Sequence, residues 1–403
     1  MQLPPELRDC VIDFLQDSRP ALQTCSLIGR AWLPRSRYHL FRSVQIEPGR
    51  RATAFRSLLD ANPLLGNFVR NVEILGSGQD TPVEHVVRME WPTLRPVPAV
   101  PTYPRLGHRR ISWLENVLPE SPKVLRRVSR LTVVAMHIHP ELVDVLSVRF
   151  PAVKILELNK CRSATFAEFL ALPNAFSEAS CIQIHEMYCL RPTQPPAAMA
   201  SRRRTLKTLI LSPHTDVTLL LSWLVVEKVH TALESLSCHS SGQLSATAIR
   251  DLLKAVGPSL RHLSFGFSDV KDPTVILHST ELSLEPCTGL RSLHIHCANS
   301  IRFSSMPSLS WIILLLSKLN SPQLSRLEFF ISASDICSFN LEGLAVVLAH
   351  KRCASLTRLV FHVSPRGDYI QGVERRIRDR LSSLALRGLD VDIVSAGQYS
   401  RLI

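Results

Sequence analysis

Aromatic residues are scarce, at 6 % of 403 residues, and the longest apolar stretches, residues 217–226 and 311–319, stop well short of the roughly 20 residues that cross a bilayer as a helix. The sequence thus predicts no membrane span. It has no Cys-x-x-Cys among its ten cysteines and no Asn-x-Ser/Thr sequon, which argues against a disulfide framework and for thiols acting as small buried hydrophobes. The first residues, Met1 to Asp9, show no basic segment followed by an apolar run, so no secretory signal is expected and the chain is read as cytoplasmic and/or nuclear. No Gly-x-Gly-x-x-Gly, phosphate-binding loop or Gly-x-Ser-x-Gly occurs, and no cofactor or catalytic residue is predicted.

The chain does have enough apolar material, 45 % with a mean hydropathy of +0.10, to exclude a disordered polypeptide and to build a sizeable core. Bases outnumber acids, 47 Lys+Arg against 34 Asp+Glu, but the excess is spread over residues 105–130, 191–207 and 351–380. Only Arg202-Arg203-Arg204 is a tight cluster, and few aromatics interleave with these bases. Solvated surface is therefore favoured over a nucleic-acid groove.

A repeat organises most of the sequence. Its template is apolar-x-x-apolar-x-apolar, as in Val128-x-x-Leu131-x-Val133 and Val153-x-x-Leu156-x-Leu158. It recurs from Ala179, Leu206, Leu233, Leu260, Leu290, Leu324 and Leu356, more weakly from Leu386, with an earlier match from Val69. Starts from 128 to 260 are separated by 25, 26, 27, 27 and 27 residues, and later ones by 30 to 34. Helical stripes fill the intervals: Ser245 is read as an N-cap before Ile249, Leu252, Leu253 and Val256, with Gly257-Pro258 as the stop. Ile370, Val373, Ile377, Leu381 and Leu384 form another. One strand-plus-helix unit cannot bury its own apolar face, so neighbours must stack.

This pattern resembles leucine-rich repeats over most of residues 69–394. The resemblance implies an α/β solenoid, a curved parallel sheet on the concave face and helices on the convex face. It departs from that family at the turn position, where Cys161 fits but His214, Ser241 and Ala298 replace the usual Asn or Cys. Residues 92–104 and 192–196 read as proline-rich loops, the first within an insertion at about 76–108, and 395–403 as a C-terminal tail.

Residues 1–46 are read as lying outside the repeat. Pro5 opens a helix carrying Leu7, Val11, Ile12, Phe14 and Leu15, Ser18 caps a second, and a third runs through Trp32 to Leu40-Phe41 with a bend or restart at Pro34. Three short helices cannot satisfy so many large apolar side chains among themselves, which points to an obligate partner. Leu3-Pro4-Pro5-Glu6-Leu7, Ile12, Leu15, Leu22, Leu27-Ile28-Gly29-Arg30-Ala31-Trp32 and Leu40-Phe41 resemble an F-box, with Gly29 where Cys is frequent, in the style of F-box proteins from mushroom-forming fungi.

The resemblance implies a small three-helix F-box at 1–46, a linker helix at 47–68 and the repeat domain at 69–394. It implies a non-catalytic substrate adaptor of a Skp1–cullin–F-box ubiquitin ligase, or alternatively a scaffold acting without a cullin. Leu3, Pro4, Leu7, Ile12, Leu15, Leu22, Leu27, Trp32, Leu40 and Phe41 become candidates for contact with a Skp1-type adaptor or for its support, Pro4 and Leu7 foremost. An unknown protein is the expected substrate, met by side chains that alternate away from the core. Those are Glu157, Asn159, His185, His239, His262, His294, His296, Arg326, Glu328, Phe330 and Arg358, with His362 beside them. His294 and His296 share one side of a strand but would need ligands from neighbouring repeats to hold a metal, so no metal site is predicted.

Overall fold

The computed structural model describes residues 3–76, 112–121, 123–191, 206–213, 215, 217–268, 270, 272–297, 309–350, 353–364, 370–385 and 388–395. Both proline-rich stretches, the Arg202-Arg203-Arg204 cluster, His214, Ala298 and residues 396–403 lie outside the described residues. The chain forms two compact units, Met1–Ala164 with Glu168–Phe176, and Thr165–Ala167 with Ser177–Ile403.

The first unit opens with three helices, α1 (Pro5–Phe14), α2 (Arg19–Ile28) and α3 (Leu33–Arg42). Strand β1 (Ser43–Ile46), helix α4 (Arg50–Ala61), a 3-10 turn at Pro63–Phe68, β2 (Asn71–Leu75) and α5 (Ser112–Val117) follow. Then come β3 (Arg130–Val134), β4 (His137–Ile138), α6 (Pro140–Arg149), β5 (Ile155–Asn159), β6 (Arg162–Thr165) and α7 (Phe166–Ala175). Strands β1, β2, β3 and β5 pair in that order, all parallel, and β4 pairs with β6.

The second unit contains β7 (Cys181–His185), β8 (Tyr188–Arg191), β9 (Thr208–Leu211), α8 (Thr218–Val226), β10 (Ser235–Ser240), α9 (Gln243–Val256) and β11 (His262–Phe267). It continues through α10 (Pro273–Thr280), β12 (Ser292–His296), α11 (Ser310–Ser317), β13 (Arg326–Ser332), α12 (Ala333–Ser338) and α13 (Leu341–Leu348). It ends with β14 (Arg358–Ser364), α14 (Ile370–Arg380), α15 (Ser382–Ala385) and β15 (Asp390–Ser395). Here β7, β9 and β10 to β15 form successive parallel pairs. Both units are α/β, with helices in the return connections that parallel pairing requires.

The apolar template explains the register. Its second and third positions align from strand to strand, so Leu236, Leu263, Leu293, Leu327, Leu359 and Val391 form one row. Cys238, Phe265, Ile295, Phe329, Phe361 and Ile393 form the next. A one-residue slip would turn both rows outward, so the buried face fixes the pairing. Helix residues close over the rows: Phe265 and Phe267 meet Trp311 of α11 edge-on, at ring distances of 6.2 and 5.0 Å. Phe329 stacks on Phe361 at 5.1 Å and lies edge-on to Phe339 at 5.7 Å.

Polar accounting follows the same repeat. Paired amides at successive strand starts share one carbonyl of the preceding repeat, Glu234 and Ser235 on Lys207, Arg261 and His262 on Glu234, Arg291 and Ser292 on Arg261. The hydroxyls of Ser259, Ser321 and Ser355 donate to the carbonyls of Leu233, Leu290 and Leu324's positions in turn, at 3.2, 2.6 and 3.0 Å. Backbone groups beside the core are thus satisfied without breaking the strand spacing.

Four expectations need correction. The last template match is set two residues early: β15 pairs Val391 with Leu359 and Ile393 with Phe361, so Val391 holds the second template position and not the third, and Leu389 precedes the strand. The sheet begins before the recognised repeats, because β1 pairs with β2 in register, Val44 with Val72 and Ile46 with Ile74. The segment Phe41-x-x-Val44-x-Ile46 carries the template, so residues 1–46 are not wholly outside the repeat. The N-cap of α9 is Gly242, not Ser245; Ser245 lies one turn inside and its Oγ accepts from the amides of Ser241 and Gly242. Helix α3 starts at Leu33 with Pro34 in its first turn, where no amide is needed; the restart expected at Pro34 is found, but Trp32 is the N-cap and the helix does not run through it. The short strands β4, β6 and β8 are additional to the sequence reading.

Among the described residues no helix is long and apolar enough to cross a membrane. Truncating Phe329, which is fully buried, to Ala should cost about 3–5 kcal/mol of the second unit's stability. Chemical denaturation of wild type and variant measures the loss.

Candidate functional site

The amino-terminal helices of the first unit divide the ten adaptor candidates by exposure. Ile12 and Leu22 are buried, together with Cys25, and form the interior of the group. Leu15, Trp32, Leu40 and Phe41 are half-buried, and Leu3, Pro4, Leu7 and Leu27 are exposed. Ile12 and Leu22 therefore serve as packing and not as accessible contacts. The surface also holds residues outside the ten: Val11, Phe14 and Ile28 are exposed, Phe14 at 89 % and Leu27 at 86 %. Leu7, Val11 and Phe14 recur at helical spacing along α1, one apolar stripe facing solvent. The i, i+4, i+7 spacing of Leu7, Val11 and Phe14 was the sequence signal that these three share one face of α1.

Polar contacts hold α1 and α3 together beneath that stripe. Both oxygens of Asp13 accept from Arg35, Nε to Oδ1 and Nη2 to Oδ2, each at 2.6 Å. His39 Nε2 lies 2.7 Å from Oδ1. The hydrogen bonds from Arg35 and His39 hold the Asp13 carboxyl at about 2, below the usual carboxylate range. Ser18 caps α2 by accepting from the Ala21 amide at 3.4 Å, as the sequence predicts.

The outward positions of the first unit's strands include Glu157 and Asn159, both half-buried. Glu157 accepts from Thr132 Oγ1 at 3.3 Å. In the second unit, outward side chains line up in rows across the parallel strands. One row runs His239, Gly266, His296, Phe330 and His362. Its rings touch: His239 to His296 at 5.0 Å, His296 to Phe330 at 4.6 Å and Phe330 to His362 at 4.4 Å, the last two pairs stacked with their planes nearly parallel. The glycine makes the first contact possible, because a Cβ at Gly266 would stand 2.8 Å from His296 Cβ and 2.9 Å from His239 Cδ2. His262 and His296 also meet hydroxyls, on Ser292 and Ser264, both at 2.8 Å.

Glu328 is the main departure from the expected solvent-facing surface. It is only 3 % exposed, and His362 only 5 %, so neither offers itself to a target. Alternation turned Glu328 away from the apolar core, but its neighbours enclose it. Arg326 pairs with Oε1, His362 Nε2 sits 2.9 Å from Oε2, and His294 Nε2 is 3.8 Å from Oε1. Burial alone would raise the carboxyl, yet the His362 hydrogen bond and the nearby His294 and Arg326 bring it down to about 2. Burial pushes His294 down and His296 down to about 3, so His296 is neutral at physiological pH. His185 and Phe330 are half-buried, whereas His262, Arg326 and Arg358 are exposed.

Charge on this face is balanced. Among the described outward positions of β7 and β9 to β15, the cations are Arg326 and Arg358, and each meets a carboxylate. Arg358 donates to Asp392 Oδ2 at 2.9 and 2.7 Å. The chain's positive excess is thus not concentrated here. Buried thiols are pushed up, Cys161 to about 11 and Cys238 and Cys287 to about 12, which keeps them protonated. Among the described residues no group of three or more His, Cys, Asp or Glu is close enough to hold a metal ion.

No family model and no curated protein matches this sequence.

The Glu328 cluster sets a pH signature. A carboxyl near 2 when folded and near 4.5 when unfolded stabilises the fold above about 4.5, and that contribution disappears as pH falls toward 2. Glu328→Gln should show a shallower decline than wild type when denaturation midpoints are compared from about pH 5 to 2.5.

Proposed function

We propose that this chain is a non-catalytic substrate adaptor of a Skp1–cullin–F-box ubiquitin ligase. Its amino-terminal helices dock on a Skp1-type adaptor, and outward sheet residues select a protein target. The observation that carries this reading is the apolar surface of α1 and α2. Leu3, Leu7, Val11, Phe14, Leu27 and Ile28 remain exposed beside a small interior of Ile12, Leu22 and Cys25. Isolated apolar residues on a surface are ordinary, but a stripe of this kind on a short helix is the anchor pattern of helix-in-groove binding. Leu3, Leu7 and Leu27 are among the ten residues that the F-box resemblance assigns to adaptor contact or its support.

The strand–helix repeat supports the second half of the reading. Parallel strands carrying apolar rows on one side and polar rows on the other are in keeping with a leucine-rich-repeat domain of a substrate adaptor. Balanced charge on the described outward rows favours a protein target over a nucleic-acid backbone, whose recognition draws on an excess of unpaired bases. Bringing such a target beside a ubiquitin-charged enzyme raises effective concentration and requires no chemistry from this chain.

Co-expression of the full chain with a Skp1-type adaptor tests the proposal. An equimolar complex on size exclusion is expected, lost in Pro4→Ala/Leu7→Asp and retained in His294→Ala/His296→Ala. Wild type and the Pro4/Leu7 variant both eluting alone and folded would overturn it.

A further inference from the structure

We propose that Asp13, Arg35 and His39 form a clamp that fixes α1 on α3, so that the stripe of Leu7, Val11 and Phe14 meets its protein partner already ordered. The inference rests on reading these helices as the adaptor-docking module. Helix α1 is ten residues long and fully buries one side chain, Ile12. A helix this short is marginal in water, and so little apolar burial gives it a weak hold on its neighbours. Its large side chains point outward instead, which suits a binding surface but leaves the helix poorly anchored.

The clamp supplies the missing anchor. Arg35 and His39 are four residues apart on α3, and so share one face. Both reach the same carboxylate, with the three contacts at 2.6, 2.6 and 2.7 Å. A carboxylate only accepts, so Nε2 of His39 carries the shared proton. The His39 side chain is 5 % exposed, which fixes its ring, and the Arg35 guanidinium lies 5.1 Å from the Tyr38 ring centre. Asp9, one turn earlier on α1, adds negative potential at Arg35. The two-point Arg fork constrains direction as well as distance. Asp13 lies next to Ile12 and Phe14, so gripping it sets the rotation of α1 and hence the direction of the stripe.

Exposed ion pairs add little to global stability. The role inferred here is preorganisation: without the clamp, ordering α1 is charged against binding. Asp13, Arg35 and His39 are positioning residues.

The test measures affinity of a purified Skp1-type adaptor for the full chain as wild type, Asp13→Ala, Arg35→Ala, the double variant and Arg35→Lys. Amide exchange of α1 is followed in each free chain. A tenfold or greater loss is expected for each single Ala variant, with the double variant no weaker than the weaker single one. Arg35→Lys, which keeps the charge and removes the fork, should behave like Arg35→Ala. Exchange in α1 should speed up while the second unit's strands stay protected, a split that general destabilisation does not produce. Variants binding within twofold of wild type, or unchanged α1 exchange, would overturn the clamp and leave the docking reading standing. Failure of wild type itself to bind would overturn both.

Discussion

Register between parallel strands is the constraint on which the rest of the structure depends. Each strand contributes two apolar side chains to one face, and each is buried only because the next strand repeats the pattern in step. The rows through Leu236, Leu263, Leu293, Leu327 and Leu359 and through Cys238, Phe265, Ile295, Phe329 and Phe361 carry this in the second unit. Val44, Val72, Leu131 and Leu156 carry it in the first. No single strand–helix segment is a stable object, so the energy of burial is shared between neighbours.

Register also organises the opposite face. Residues at equal positions on neighbouring parallel strands stand about 4.8 Å apart, close to the spacing at which rings stack. The contacts from His296 through Phe330 to His362 are a direct result, and Gly266 lets His239 join them by leaving out a side chain. Glu328 is enclosed for the same reason, with Arg326 on its own strand and histidines on the strands to either side. Among the histidines on this face, His262 is exposed, His294 lies beside Glu328, and burial in the ring row keeps His296 neutral.

The sequence made the strands legible because period-two apolar pairs recurred at nearly constant intervals, and each template match from Val69 to Leu356 coincides with a strand, whereas the weak one from Leu386 is two residues short of the register that β15 adopts. Strand β1 carries the same signal in Phe41-x-x-Val44-x-Ile46, but it follows helix α3 directly, and the helical pattern masks it. Strands β4, β6 and β8 are two to four residues long, too short for periodicity to register. Alternation gives the side of a sheet on which a residue lies, not whether neighbours cover it, so the burial of Glu328 could not be read from the strand alone. Among the amino-terminal candidates, sequence pattern identified the apolar positions but not their division into buried Ile12 and Leu22 and exposed Leu3, Leu7 and Leu27. Nor could spacing reveal that Asp13 meets Arg35 and His39, which lie 22 and 26 residues further on.

The proposed docking role requires a partner to cover the exposed apolar surface of α1 and α2. The most direct measurement is amide hydrogen exchange of the full chain with and without a purified Skp1-type adaptor. New protection is expected between residues 3 and 28, with the outward strands of the second unit unchanged. Unaltered exchange over those residues at saturating adaptor, or protection confined to the second unit, would contradict that role.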